Sequence, residues 1–174
     1  MSTESNKVVQ IAYVVDDLDV SMGHWLQTGK TGPFFVNRHI AVEDFVYRGT
    51  KGFAHDISVG MAQAGEVMIE LIQQHNPEPS AYRDVFPDGG NGFHHLYSFA
   101  DFDSEMERLK AAGHAVAHSG RLGNIRFAYV DTREALGGMT ECCDDVPELR
   151  ALYATVAGAA ENWDGSDPIR SFEK

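Results

Sequence analysis

Four polar side chains interrupt apolar runs where a strand would bury them. Gln10 lies in Val9-Gln10-Ile11-Ala12, Glu70 in Met68-Ile69-Glu70-Leu71-Ile72, His95 in Phe93-His94-His95-Leu96, and Glu141 in Met139-Thr140-Glu141-Cys142. A buried carboxylate without a partner is costly, so it either keeps its proton or finds a cation. An amide oxygen, an imidazole and two carboxylates form a mixed nitrogen and oxygen donor set. Such a set suits one divalent metal ion (zinc, nickel, cobalt, iron or manganese) and is too small in ligand number to favour calcium. An ion that holds a carbonyl oxygen stabilises the charge left when the adjacent carbon loses a proton, and a nearby carboxylate can carry that proton. Glu141 is the principal candidate base, with Glu70 on the opposite side to return a proton. Taken singly, each residue also has an ordinary reading. Gln10 is then a strand amide satisfied by backbone, His94 and His95 are one core and one surface histidine, and the glutamates pair with Arg126 or Lys51.

What brings such distant positions together is a repeat. Residues 7–15 read as a strand buried on both faces, followed by an acidic turn and a helix carrying Met22, Trp25 and Leu26 inward to a stop at Gly29. The pattern recurs as a strand at 93–99, an acidic turn and a helix at 103–112. Met22 and Met106 stand 84 residues apart, as do Gly29 and Gly113, whereas Gln10 and His95 stand 85 apart, so one residue is gained or lost between strand and helix. Strands are expected at 34–40, 43–48, 54–61 and 66–74 in the first copy, and at 115–117, 125–131 and 139–143 in the second. Glu70 and Glu141 then occupy the last strand of each copy. Alternation puts Gln10, His95, Glu70 and Glu141 on one face if the copies pair about a pseudo-two-fold axis. The expected fold class is α+β: two βαβββ modules, 7–75 and 92–145, pairing their sheets into a cup-like groove. A proline- and glycine-rich connector spans 76–91, with a helical turn at 80–86. A C-terminal helix starting at Pro147, with Leu149, Leu152, Tyr153 and Val156 along one side, and a loosely held tail from Gly165 complete the chain at 146–174.

The formal charge of −12, from 26 acidic and 14 basic residues, repels phosphate backbones, and no local basic patch overrides it. A nucleic-acid partner is not expected. No apolar run approaches a membrane span, and the opening residues are polar rather than signal-like, so a soluble, cytoplasmic protein is expected. Cys142 and Cys143 are strand neighbours that point to opposite faces, which makes a mutual disulfide unfavourable and free thiols the simpler account. His24, His39, His75, His114 and His118 read as solvated. Trp25 and Phe34 read as core or rim, and Phe34, Phe35, Phe45 and Tyr47 are candidates for the apolar end of a substrate groove.

This double layout with its four ligand positions resembles the vicinal oxygen chelate superfamily, which includes glyoxalase I, methylmalonyl-CoA epimerase, extradiol dioxygenases and bleomycin-resistance proteins. The resemblance runs from Lys7 to about Asp144. It implies a metal held by Gln10, Glu70, His95 and Glu141, a set that looks like that of eukaryotic-type glyoxalase I. The string from Met68 to Ile72 and the doublet His94-His95 look more like methylmalonyl-CoA epimerase. Gln10 stands where extradiol dioxygenases have a histidine, which argues against iron-dependent ring cleavage. Where the epimerase has its additional glutamate base, this chain has His55 and Asp56, whose role stays open. The implied activity is a metal-dependent isomerase, epimerase or lyase acting on a small-molecule carbonyl substrate, with room for a homodimer. The alternatives are a non-catalytic small-ligand binder and a ring-cleaving dioxygenase. The acidity disfavours an anionic carrier such as coenzyme A, unless Lys30, Arg38, Arg48 and Lys51 compensate locally.

Overall fold

The computed structural model describes residues 7–172; residues 1–6, the polar opening of the sequence, and residues 173–174 lie outside that range. The chain begins with β1 (Gln10–Val14), α1 (Leu18–Gln27), β2 (Phe34–Ala41), β3 (Glu43–Tyr47), β4 (Thr50–Lys51), β5 (Asp56–Ala64) and β6 (Val67–Gln74). It continues through α2 (Ala81–Val85), β7 (Gly92–Tyr97), α3 (Phe102–Ala111), β8 (Val116–Leu122), β9 (Ile125–Val130), α4 (Arg133–Leu136), β10 (Met139–Cys143), α5 (Pro147–Ala160) and β11 (Ile169–Ser171). Both long helices after a first strand start the same way. Asp17 accepts the Val20 amide and Asp101 accepts the Ser104 amide, each satisfying a donor that the helix cannot.

All strands join one sheet in the order β11-β2-β5-β6-β1-β7-β10-β9-β8-β3-β4. Its centre is the antiparallel pair β1 and β7, in which Gln10 faces Tyr97 and Ala12 faces His95. β6 runs parallel to β1 with Glu70 opposite Ala12, and β10 runs parallel to β7 with Glu141 opposite Tyr97. Directly opposed residues point to the same face. Gln10, Glu70, His95 and Glu141 therefore share the inner face, and exchanging the two centre strands maps one pair onto the other.

Helices cover the outer face. Leu18 and Met22 of α1 pack with Phe34, Val36, Ala62, Ile69 and Leu71, while Met106 and Leu109 of α3 pack with Ala128, Val130 and Cys142. The inner face carries its own core, Val14, Ile57, Val59, Ile72, Phe127, Tyr129 and Met139, closed at one side by Ala81 and Tyr82 of α2.

Besides the short β4 and α4, which no pattern announced, three elements depart from expectation. The repeat assigns β3 to the first module, but it pairs with β8 at the far end of the sheet, while β2 pairs with β5 near the other end. Only Val42 separates β2 from β3, so the two ends must approach each other and the sheet curls into a cup. The tail is not loose: β11 runs parallel to β2, anchored by the Phe34 amide donating to the Pro168 carbonyl at 2.8 Å. β8 also extends five residues beyond Ala117, to Leu122, because its ladder with β9 continues to the turn at Gly123.

Candidate metal centre

The four polar residues singled out in the sequence meet at the middle of the inner face. His95 is fully buried, and its Nε2 lies 3.1 Å from Glu141 Oε2 and 3.5 Å from Glu70 Oε2. Gln10 Nε2 donates to Glu70 Oε2 at 2.9 Å and lies 3.4 Å from both Glu141 Oε2 and His95 Nε2. One ligand atom from each of Glu70, His95 and Glu141 can be chosen so that all three lie within 4.8 Å of one another. Among the described residues neither glutamate pairs with lysine or arginine. Arg126, considered as a partner, is engaged by Asp103 and Asp144 instead.

The electrostatics follow from this arrangement. Burial, and then the neighbouring charge of Glu141, hold the Glu70 carboxyl well above the usual carboxylate range. A divalent cation is what would let both carboxylates ionise together, and the one-nitrogen, several-oxygen donor set has the chemistry to hold one. The amide of Gln10 is not turned for that task. Its nitrogen faces the carboxylates, while its Oε1 accepts the hydroxyl of Tyr153 from α5. Ligation through oxygen requires the amide to turn over and Tyr153 to let go.

Behind His95 stands His94, also fully buried, with the two Nδ1 atoms 2.8 Å apart. The reading of one core and one surface histidine is therefore excluded. Burial, and then the neighbouring His95, hold the His94 pKa well below its ordinary value. A free Nε2 lone pair on His95 requires its proton on Nδ1, donated to His94.

Glu70, Glu141 and Gln10 open onto a cavity of about 320 Å³. Its walls come from Ile40, Val42, Met61 and Ile125 of the sheet region, from Leu149, Leu152 and Tyr153 of α5, and from Phe172 after β11. The aromatic residues expected there lie elsewhere. Phe34 is buried under α1, Phe35 packs at a tilt on Phe172, Phe45 packs on His55 and His118, and the Tyr47 hydroxyl donates to Asp84. β2 and β3 are separated by a single residue and continue to opposite ends of the sheet, so alternation cannot be extrapolated from one to the other.

His118 is the clearest correction among the histidines expected to be solvated. It is fully buried, accepts the Ala81 amide through Nδ1 at 3.1 Å, and packs on Tyr82 and Tyr129, because β8 runs on past Ala117 and turns this side chain inward. His55 is buried as well, with neither ring nitrogen hydrogen-bonded among the described residues. His24, His39 and His75 are exposed, His114 is half-buried, and His39 stacks on His75 while holding Asp56 at 3.0 Å. Both cysteines are free thiols. Cys142 faces α3 and Cys143 faces the groove, where its thiol donates to Glu141 Oε1 at 3.4 Å.

The sequence profile of the Glyoxalase/Bleomycin resistance protein/Dioxygenase superfamily matches residues 9–129. The chain belongs to this superfamily. No curated protein matches it by sequence. Among solved structures, the methylmalonyl-CoA epimerase of Mycobacterium tuberculosis is similar at 17% identity and a TM-score of 0.54, covering 87% of this chain and 96% of its own. A hypothetical protein of Bacillus halodurans C-125 is similar at 19% identity and a TM-score of 0.56, with 81% and 95% covered. Another methylmalonyl-CoA epimerase follows at 15% identity and 0.50, with 82% and 98% covered. These likenesses establish the vicinal oxygen chelate fold. Residues from Val130 onward lie beyond the profile match, and they include Glu141 and all of α5.

Tyr153 is the residue of the site that sequence reasoning missed. In the sequence it belongs to the apolar stripe of α5, and no spacing in the chain ties it to Gln10.

Proposed function

We propose that this superfamily member is a divalent-metal-dependent isomerase, epimerase or lyase that removes a proton from the carbon beside a carbonyl of a small molecule. The observation that carries the reading is the meeting of Glu70, His95 and Glu141 within 4.8 Å, with both glutamates lining an apolar cavity and without any lysine or arginine partner among the described residues. Gln10, Glu70, His95 and Glu141 would hold the ion. When bound, it supplies the positive charge that stabilises the negative charge developing as the substrate ionises. Glu141 Oε2 takes the proton from the substrate carbon on one side. Glu70 stands on the other side, where its carboxyl, once released from the ion, would return a proton to the substrate carbon. His94 orients His95, and the aliphatic walls exclude water from the ionised intermediate.

One chain supplies Gln10, Glu70, His95 and Glu141. The free thiols fit a reducing compartment such as the cytoplasm, and no helix of the described residues is long and apolar enough to cross a membrane. The test is deuterium exchange into a panel of carbonyl compounds by protein loaded with each candidate metal, read by mass spectrometry. The expected result is metal-dependent exchange that Glu141→Gln abolishes while metal remains bound. Full exchange in that variant would reduce Glu141 to a ligand. Failure to take up any of the metals would leave the groove to the non-catalytic ligand-binding reading.

A further inference from the structure

We infer that the substrate of this groove is a neutral, apolar carbonyl compound rather than an anionic acid or a coenzyme A thioester, an inference that rests on the proposed carbonyl chemistry. Among the described residues no lysine or arginine lines the cavity. The basic residues that seemed able to neutralise an anion are engaged or distant. Arg48 is clamped by Asp84 and Asp131, Arg38 pairs with Asp19, and Lys30 and Lys51 are exposed and belong to no wall of the cavity. The formal charges on the described walls are the carboxylates of Glu70 and Glu141 alone. Two carboxylates balance a divalent ion, so even the loaded centre offers an anion no net positive charge, and the chain's overall −12 repels it further. The walls point the same way. Ile57, Val59, Leu122, Phe127, Leu149 and Leu152 present hydrocarbon. The polar groups at the floor are joined to one another: Tyr153 to Gln10, Gln10 to Glu70, and Cys143 to Glu141. A ligand with one polar, carbonyl-bearing end and an aliphatic or aromatic body satisfies both regions. The volume of about 320 Å³ lies near the lower end of the roughly 300–1,000 Å³ of small-molecule sites.

The experiment uses the zinc-loaded full chain and two readouts, calorimetric binding and deuterium exchange. The probes are alkyl 1,2-diketones of increasing tail length, the 2-oxo acids of matching carbon count, and one acyl-coenzyme A thioester. The expected result is diketone affinity rising about fourfold per added methylene until the cavity is full. Each 2-oxo acid should bind at least roughly tenfold more weakly than its neutral counterpart. Leu149→Arg, a change on a half-exposed wall position, should narrow or reverse that preference. An acid or the thioester binding the unmodified protein as tightly as the matching diketone overturns the inference, as does the absence of any diketone binding. Diketones that bind as expected without exchanging deuterium support the neutral, apolar ligand class and instead defeat the proposed function. Exchange confined to anionic probes does the reverse.

Discussion

The two halves of the molecule present the same framework to the groove and fill it differently. Gln10 and His95 occupy corresponding places on β1 and β7, as do Glu70 and Glu141 on β6 and β10. Beside Gln10 the preceding residue is Val9, whereas beside His95 it is His94, whose Nδ1 lies 2.8 Å from the Nδ1 of that ring. Gln10 is instead held from across the groove by Tyr153. The first half also carries the β3–β4 excursion, for which the second has only the turn at Gly123. A duplicated frame therefore sets where the centre lies, while non-equivalent support decides what each donor does there. One half offers a braced nitrogen, and the other offers an amide engaged elsewhere.

The largest effects should come from the carboxylates, and they test whether the halves are interchangeable. Glu141→Gln is expected to lower deuterium exchange by about 10²–10⁴, the usual contribution of a positioned proton carrier, with metal still bound. Glu70→Gln should also lose turnover but with an additional signature. Because the folded protein holds this carboxyl above its ordinary pKa, metal-free stability falls as pH rises from the unfolded value through the folded one. Removing the charge should raise the melting temperature of the metal-free protein at about pH 8, by about 2–4 °C per kcal/mol regained. Calorimetry of Glu70→Gln against the unmodified protein reads the effect, and an unchanged pH profile would contradict the raised pKa.

The supports come next. His94→Phe is expected to weaken metal binding about 10–100-fold, the usual cost of losing the partner of a ligating imidazole. Val9→Ala, the matching change in the first half, should lower stability and leave metal affinity within about twofold. Competition with a chelator of known affinity decides the point. Comparable losses in both variants would mean that His94 acts only as packing.

The centre was legible because polar letters inside apolar strands recur in the first and the last strand of each copy, and strand alternation needs no tertiary knowledge to assign a face. The paired sheets of the cup followed from the same repeat. The partner of β3 was not legible, since strand propensity in residues 43–48 is silent on which edge accepts them. Tyr153 was hidden for a different reason. Its hydroxyl matters only once α5 packs across the groove, and a tyrosine in an apolar helical stripe looks the same whether or not its hydroxyl finds a partner. His118 escaped through a strand boundary, the least determinate feature of any sequence pattern.

A moderate effect should separate the excursion of the first half from the rest of the core. His55, at its end, is held down to about pH 4 by burial, against an ordinary value of 6.5. The unfolded chain takes up this proton below about pH 6.5 and the folded protein does not. Stability is thus fully present above that pH and is lost as pH falls toward about 4. The ceiling on this loss is about 3 kcal/mol, from about 1.4 kcal/mol per pH unit. His94 and His118, also pushed well below their ordinary value, add to the same slope. His55→Phe should flatten the denaturation profile between about pH 6.5 and 4 and stabilise the protein at about pH 5. An unchanged slope would assign the acid sensitivity to His94 and His118.

The smallest expected effect is the most direct probe of the asymmetric support. The Tyr153 hydroxyl occupies the Gln10 oxygen, the atom that ligation would need, while the amide nitrogen satisfies Glu70. A hydrogen bond of this kind contributes about 0.5–1.5 kcal/mol net, so its loss should favour the turned amide by about two- to tenfold. Tyr153→Phe keeps the ring against Tyr97 and Phe99 and deletes only that competitor. Metal affinity should rise by this factor, whereas Gln10→Ala should lower it. The opposite sign in Tyr153→Phe would mean that the hydroxyl holds the amide for ligation rather than against it. Tyr153 would then be to Gln10 what His94 is to His95, and the two halves would be alike in function after all.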